Sequence, residues 1–360
     1  MNVRDRLLKP NDNLWRVIET LNLGDPIIAL VVDGEGHLLG TITDGDIRRA
    51  LLEKIPLNQP ASSIMNSDPK FVYRNELHKV RDLFCAKNLK YLPVLDSAKV
   101  VVDIISRTSE MPHEQQHAIR PNRVFIMAGG MGSRLAPLTK IIPKPLIPVG
   151  EKSIIEHVID RFRVHGFENF VISLNYKGEM IENHLKASVP LDITYVRETK
   201  FLGTAGSLEL ARDWLRETFF VVNCDVFTDV SFAEMFHFHQ EQGNDVTLVG
   251  VLRRVPVPYG ILEQDNGVCE RIVEKPQYSF LVNGGIYLME PTVLQFLTPD
   301  VPADMPNLIM AAKSAGHKVG VFPTSGEWVD VGSMDEYAAI LRKFKEEPTR
   351  LGSSRSWVDE

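Results

Sequence analysis

The sequence predicts an α/β protein in two unequal parts, a larger one built on a mainly parallel sheet and a smaller α/β repeat ahead of it. Three observations predict this. From Val124 onward strand-like apolar runs alternate with helical patterns, and between Asp12 and about Ser109 one order of elements occurs twice; a polar segment with prolines at both ends separates the two. Alternation of strand and helix calls for a parallel sheet with helices on both faces. The expected boundaries are residues 1–110 for the repeat pair (copies about 8–57 and 62–110), 111–122 for a linker, 123–347 for the larger domain and 348–360 for a polar tail. At 360 residues and 44% hydrophobic, the chain has room for two domains.

In the first copy a helical pattern in "LWRVIETLNLG" (Leu14, Val17, Ile18, Leu21) precedes a strand "IIALVVD", a turn "GEGHL", a strand "LGTIT" and a helix opening "DGDIRRALL". The second copy gives helix "LHKVRDLFCAKN", strand "YLPVLD", a turn around Ser97 and strand "VVVDIIS". Neither copy is large enough to bury a good core alone, so the two are expected to pack together. In the linker, His113, Glu114 and His117 spell H-E-x-x-H, a zinc-protease pattern that requires a buried helix. Pro112 and Pro121 flank the segment and almost nothing apolar accompanies it, so the zinc reading is set aside.

The larger part has strand-like runs "VFIMA", "FVISL", "ITYV", "FFVVN", "VTLVGVL" and "GIYLM". Its helical runs include "SIIEHVIDRFRVHG", with Ser153 as cap and Gly166 as stop, and "SFAEMFHFHQEQG", where His237 and His239 read as helix surface and core edge. Cys85, Cys224 and Cys269 form no CxxC pair, which suggests neither disulfides nor a cysteine zinc site and fits a reducing cytoplasm. A net charge of −7 argues against nucleic acid, and no signal-peptide core or membrane-length apolar run is present.

The chemistry concentrates after the first strand of the larger part, in "AGGMGSR". Backbone N–H groups of such a turn can converge on one anion, because glycine takes positive φ and approaches phosphate closely. Ala128, Gly129, Gly130, Gly132 and Ser133 supply that backbone, and Arg134 and Lys144 add charge. The loop is neither G-x-x-x-x-G-K-[ST] nor G-x-G-x-x-G, since Leu135 stands where the third glycine belongs. Asp225 and Asp330 each follow an apolar run, where a strand end puts a carboxylate at the sheet edge.

"GGMGSRLAPLT" followed by "PKPLIPV" resembles the signature of the sugar-1-phosphate nucleotidyltransferases, the glucose-1-phosphate thymidylyltransferase and mannose-1-phosphate guanylyltransferase group. The later landmarks "LGTAGSL", "VVNCD", "IVEKP", "VNGGIYLM" and "WVDVG" appear in order through about Phe344. The resemblance implies a Rossmann-like, GT-A-like sheet and attack by a sugar-1-phosphate oxygen on the α-phosphorus of an NTP, with release of pyrophosphate. Such a transfer asks the protein for positioning and charge neutralisation. It further implies that the glycine loop, Arg134, Lys144 and Gly203 hold the nucleotide, with Arg134 as the stronger transition-state candidate. By the same resemblance Asp225 and Asp330 hold Mg²⁺, a hard cation that takes one or two carboxylates plus phosphate oxygens. Gly206, Glu274, Lys275 and Asn283 would face the sugar phosphate. Ser133 stands where Thr is commoner, and Cys224 where Gly or Ala often precedes the metal aspartate; both are compact, and Cys224 reads as packing.

The first repeat, "LVVDGEGHLLGTITDGDIRRALL", resembles the second half of a CBS motif, a paired module that often binds nucleotides. Thr43 and Asp46 match its ribose-phosphate segment, whereas the second copy has Ser106 and Ser109 there. One nucleotide site, or none, is expected, with a packing and dimerisation module as the other reading. The pairing resembles bacterial guanylyltransferases that supply activated sugars for surface glycans, including glucosamine-1-phosphate enzymes of the legionaminic acid route. GTP is therefore the favoured NTP, a hexose- or hexosamine-1-phosphate the acceptor, and a homo-oligomer the expected assembly. UTP, dTTP or CTP stays open as alternative, as does a non-catalytic nucleotide-sugar sensor, against which the retention of Arg134, Lys144, Asp225, Lys275 and Asp330 counts.

Overall fold

The computed structural model describes residues 3–87, 89–107 and 119–346. The chain divides into two compact units, one of residues 1–116 with 323–325 and the other of residues 117–322 with 326–360. The H-E-x-x-H residues His113, Glu114 and His117, together with Ser109 and the polar tail, lie outside the described residues.

The first unit contains strands β1 (Leu7–Leu8), β2 (Ile28–Val32), β3 (Leu38–Thr43), β4 (Val72–Tyr73), β5 (Tyr91–Leu95) and β6 (Val101–Ser106), with helices α1 (Leu14–Leu21), α2 (Asp44–Leu52) and α3 (Val80–Lys87). They make two three-stranded sheets of the same design. β2 is parallel to β1 and antiparallel to β3, and β5 is parallel to β4 and antiparallel to β6. One local device recurs in both hairpins. Asp33 Oδ1 accepts the N–H groups of Glu35 and His37, and Asp96 Oδ1 those of Ala98 and Val100, which fixes each turn through an aspartate side chain. Ile28, Leu30 and Val32 share a core cluster with Leu95 and Val101, so the two copies bury each other's apolar faces.

The second unit contributes β7 (Arg120–Met127), β8 (Pro148–Val149), β9 (Lys152–Ser153), β10 (Phe167–Leu174), β11 (Ile193–Arg197), β12 (Phe219–Asn223), β13 (Val226–Thr228), β14 (Val246–Pro256), β15 (Ile261–Asp265), β16 (Val268–Val273), β17 (Gln277–Met289), β18 (Val319–Thr324) and β19 (Trp328–Asp330). Its helices are α4 (Ile154–Arg163), α5 (Gly178–Ser188), α6 (Phe232–Gln242), α7 (Met305–Ser314) and α8 (Met334–Glu346). Seven strands form the main sheet in the order β11-β10-β7-β12-β17-β14-β18. β11, β10, β7 and β12 run parallel, while β17 is antiparallel to both neighbours.

Because successive strand residues face opposite sides, β7 feeds two cores. Val124 and Ile126 join Ile155, Val158, Ile159 and Phe162 of α4 on one face; Phe125 joins Met305, Leu308 and Ile309 of α7 on the other. All are essentially buried, and the continuously apolar "VFIM" is what a strand covered on both faces needs. α4 starts at Ser153, whose hydroxyl and N–H meet the carboxylate of Glu156 in a capping box.

The antiparallel half holds a feature absent from the sequence expectation. β14 and β17 run on past the sheet as a two-stranded ribbon, Arg253 to Pro256 against Gln277 to Phe280, and the ribbon carries the β15–β16 hairpin at its tip. The hairpin turns at Asn266 and Gly267, with φ of 49° and 85°, the left-handed pair that a two-residue hairpin turn requires.

Candidate active site

β7, β10 and β12 are parallel and in register at their ends, where Met127 lies opposite Ser173 and Asn223. The chain leaves β7 into Ala128–Gly130 and leaves β12 into Cys224–Asp225, so the glycine loop and the first aspartate emerge side by side from adjacent strand ends. That edge is where open α/β sheets bind ligands.

Asp330 arrives there by a separate route. β19 pairs antiparallel with β13, putting Asp330 opposite Val226, and the Val331 N–H donates to the Asp225 carbonyl at 3.1 Å. This short ladder brings the two distant carboxylates together. Lys144 completes the cluster through an ion pair with Asp225 in which both side chains are nearly buried. Burial is the largest influence on the Lys144 ammonium and works against it, but the charge and hydrogen bond of Asp225 together with the neighbouring Cys224 and Asp330 outweigh it, and the lysine pKa is raised. Burial first and the neighbouring Asp225 second push Asp330 up to about 7. Its Oδ1 is buried with no hydrogen-bond partner. A hard divalent cation is the kind of group that such a pair of carboxylates, with one oxygen left over, is suited to hold.

The loop residues surround this cluster. Gly132 has φ of 62°, and a methyl group there would come within 2.9 Å of Lys144 Cβ, so only glycine lets the loop turn this close to the lysine. Gly130 has open space where a side chain would stand, as backbone that must accept a ligand should. The Arg134 guanidinium lies against Gly332, 3.4 Å from where a Cβ would sit, just beyond Asp330. Arg134, Lys144, Asp225 and Asp330 therefore share one neighbourhood.

Other expected residues stand differently. Gly203 and Gly206 pack against Val301 and Ala303, and the Gly206 N–H already donates to the Ala303 carbonyl at 3.2 Å; close packing is what the structure shows for it. Asn283 donates to the Tyr287 hydroxyl and accepts from the Gly285 N–H. Glu274 and Lys275 lie exposed in the arm, outside the buried cluster. Thr43 and Asp46 are occupied in the N-cap of α2. Asp46 Oδ2 accepts both the N–H and the hydroxyl of Thr43 at 2.7 Å, and Oδ1 pairs with Arg49. Ser106 is buried at the end of β6. His237 is exposed beside Glu241, and His239 is buried between Thr247 and Glu290, as expected of helix surface and core edge.

Sequence reasoning missed Glu198. Buried just beyond β11, its carboxylate accepts from the Ser173 hydroxyl and the Leu202 N–H, and it presses on Gly129 so closely that no Cβ fits there. The signal was an acidic residue at a strand end five places before "GTAG". It also missed two anchors on α4: His157 Nε2 meets the Val149 carbonyl at 2.7 Å, and Arg161 donates to the carbonyls of Asp229 and Val230. A third is Arg253, which stacks over the Trp328 ring at 4.9 Å and donates to its carbonyl, two residues before Asp330.

Residues 123–347 match the family model for nucleotidyl transferase, and residues 6–53 match that of the CBS domain. The chain is 35% identical to a probable mannose-1-phosphate guanylyltransferase 3 of Oryza sativa subsp. japonica, over 65% of this chain and 67% of that one. It is also 35% identical to a mannose-1-phosphate guanyltransferase of Schizosaccharomyces pombe, over 64% and 69%. Among solved structures, HddC from Yersinia pseudotuberculosis superposes with a TM-score of 0.50 at 24% identity, over 62% of this chain and 99% of that one, a likeness of fold. The match to half the CBS-like repeat leaves the second copy resting on the repeated sheet design.

Proposed function

The chain belongs to the nucleotidyl transferase family, and from that premise we propose that it joins GTP to a hexose- or hexosamine-1-phosphate, releasing pyrophosphate and forming a GDP-sugar. The observation that carries the reading is the cluster of Lys144, Asp225 and Asp330 at the sheet edge beside the open glycine loop. The glycine-loop N–H groups and Lys144 bind the triphosphate. Arg134 grips oxygens at the α-phosphorus as charge builds there, where a two-pronged donor is worth more than a point charge. The acceptor phosphate oxygen attacks that phosphorus, the bond to the β-phosphate oxygen breaks, and pyrophosphate carries away the negative charge. Asp225 and Asp330 would hold a divalent cation, Mg²⁺ in our reading, which when bound neutralises phosphate charge. Glu274, Lys275 and Asn283 lie along one strand-borne segment leading from the arm to the sheet and supply the acceptor contacts.

Identity to guanylyltransferases supports GTP. The attached CBS-type unit supports a role in supplying sugars for surface glycans, of which legionaminic acid synthesis is one; with Thr43 and Asp46 already spent on the α2 cap, packing and assembly are its reading ahead of a single regulatory nucleotide site. No helix among the described residues is long and apolar enough to cross a membrane, and the cytoplasm, where GTP and sugar phosphates meet, is the proposed setting.

A pyrophosphate-release assay with Mg²⁺ over four NTPs and several sugar-1-phosphates tests this. Turnover is expected with GTP and with mannose- or glucosamine-1-phosphate. Turnover with UTP or dTTP but not GTP would refute the guanylyl assignment, and none on any pair would leave a nucleotide-sugar sensor as the better reading.

A further inference from the structure

We infer that Lys177 is a positioning residue for nucleotide binding, a strap whose ammonium fixes the loop that presents Lys144; the inference rests on the nucleotidyl-transfer reading above. Lys177 stands just after β10, at the start of α5, and its side chain crosses to the neighbouring loop. Its Nζ donates to the Lys140 carbonyl at 2.6 Å and to the Ile141 carbonyl at 2.8 Å. The Tyr176 hydroxyl donates to the Thr139 carbonyl at 3.1 Å. Three successive carbonyls, Thr139 to Ile141, are thereby held from one point outside their own loop.

The loop is built to need such a hold. Leu138–Lys140 form a single 3-10 turn, and the carbonyls that end a helical turn have no partner further along it. A cation is well suited to them. Ile141 is 75% exposed and Ile142 is exposed beside it, so burial of these side chains does not anchor the segment. Lys177 itself has φ of 52°, a left-handed conformation that costs any residue with a Cβ. Such strain persists where surrounding contacts over-determine it, and the two carbonyl contacts do so here.

The path from strap to phosphate site is short and stiff. Only Ile142 and Pro143 stand between Ile141 and Lys144, and Pro145 follows. Proline fixes its own φ and restricts the residue before it, so this stretch has few ways to absorb a displacement. Thr139 and Lys144 also flank the glycine turn, since a Cβ on Gly132 would come within 3.1 Å of Thr139 Cγ2 and 2.9 Å of Lys144 Cβ. The segment before α5 reaches the first arm of the loop as well. The Tyr176 N–H donates to the Gly129 carbonyl at 3.4 Å, and the Asn175 amide donates at 3.0 Å to the carbonyl of Glu198, the residue packed against Gly129. Asn175 to Lys177 thus hold both arms, and Lys177 holds the one whose ammonium pairs with Asp225. Released from the strap, Lys144 keeps its charge and loses its fixed place, so affinity for the triphosphate falls while the contacts of Arg134 stay.

Lys177→Met removes the ammonium and keeps an unbranched side chain. In the full chain with Mg²⁺ and the substrate pair that the wild type turns over, the KM for the NTP should rise about tenfold, the scale of one charged hydrogen bond. The kcat and the KM for the sugar-1-phosphate should change by less than about twofold, as when ground-state binding alone is lost. A variant that is merely less well folded would show a lower kcat per chain at unchanged KM, and that result would overturn the proposal. Lys177→Arg, able to donate to both carbonyls, should restore the wild-type KM. In calorimetry with the same NTP and no acceptor, Lys177→Met should weaken binding in the wild-type background and have no further effect beside Lys144→Ala. An equal loss in both backgrounds would mean that Lys177 meets the phosphates itself, and the strap fails. Hydrogen exchange tests the strap without turnover: the amides of Ile141, Ile142, Leu146 and Ile147 should exchange faster in Lys177→Met, and unchanged exchange would overturn it. A wild type that turns over no pair counts against the GDP-sugar reading instead, and exchange still decides whether Lys177 holds the loop.

Discussion

Asp46 and Asp330 are both largely buried carboxylates close to a strand end, and their oxygens have opposite fates. Asp46 spends Oδ2 on the N–H and hydroxyl of Thr43 and Oδ1 on Arg49. Asp330 keeps Oδ1 without a partner and sits beside a second carboxylate, with its pKa driven to about 7. Sequence position cannot separate them; unspent hydrogen-bonding capacity can. A folded chain satisfies almost every buried polar atom, so an oxygen left over beside a like charge marks where something else is meant to bind. By that standard the sheet edge is prepared for a ligand, while the start of α2 is already complete.

The widest gap between the two regions should appear on neutralising one carboxylate at the sheet edge. Asp225→Asn is expected to lower kcat by about 10³-fold, on the scale of removing a preorganised electrostatic contact or a metal ligand, with the fold retained by circular dichroism. A loss below tenfold would break the comparison, since the cluster would then be no more catalytic than the cap.

A second, smaller effect is thermodynamic. Asp330 titrates near 3.8 in the unfolded chain and at about 7 in the fold. Between these values the native state holds a proton that the unfolded state has released, so stability falls as pH rises through that window in metal-free buffer. Asp330→Asn should flatten this slope in thermal melts, and a divalent cation, binding the ionised form, should raise the melting temperature above neutral pH. An equal slope in the wild type and in Asp330→Asn would mean that Asp330 is not held in its protonated form.

Thr43→Ala gives the smallest effect. Losing the cap of α2 should cost about 1 kcal/mol of stability in denaturant unfolding and leave turnover unchanged. If calorimetry instead shows AMP, ATP or GTP binding that the substitution abolishes while stability stays put, Thr43 and Asp46 face a ligand and the comparison must be redrawn.

Much of the sheet edge was legible because its signals are local. The glycines of "AGGMGSR", the strand before them and the aspartates closing "VVNCD" and "WVD" lie within short windows. What brings Asp330 to Asp225 is the β13–β19 ladder, three residues against three, too short for any periodicity to announce. Glu198 was hidden differently, since its importance lies in contact with Gly129 from another strand. The arm had a signal that went unused. Asn266–Gly267 between two short runs is a strong hairpin mark, but with both faces exposed the runs lack the apolar alternation of a half-buried strand. At Thr43 and Asp46 the same residues serve a helix cap and the CBS ribose segment, and the spacing of three fits both.

His157 and Arg161 stand one turn apart on α4, one holding the carbonyl that follows the Lys144 loop and the other those that follow the Asp225 strand. The ammonium and the carboxylate are thus suspended from a single rigid rod. When thermal motion rocks that rod, both ends of the ion pair shift in step, and the disturbance cancels from the distance between them. Motion common to the two loops leaves the gap unchanged, and their independent motions are what open the space across which a triphosphate would be held.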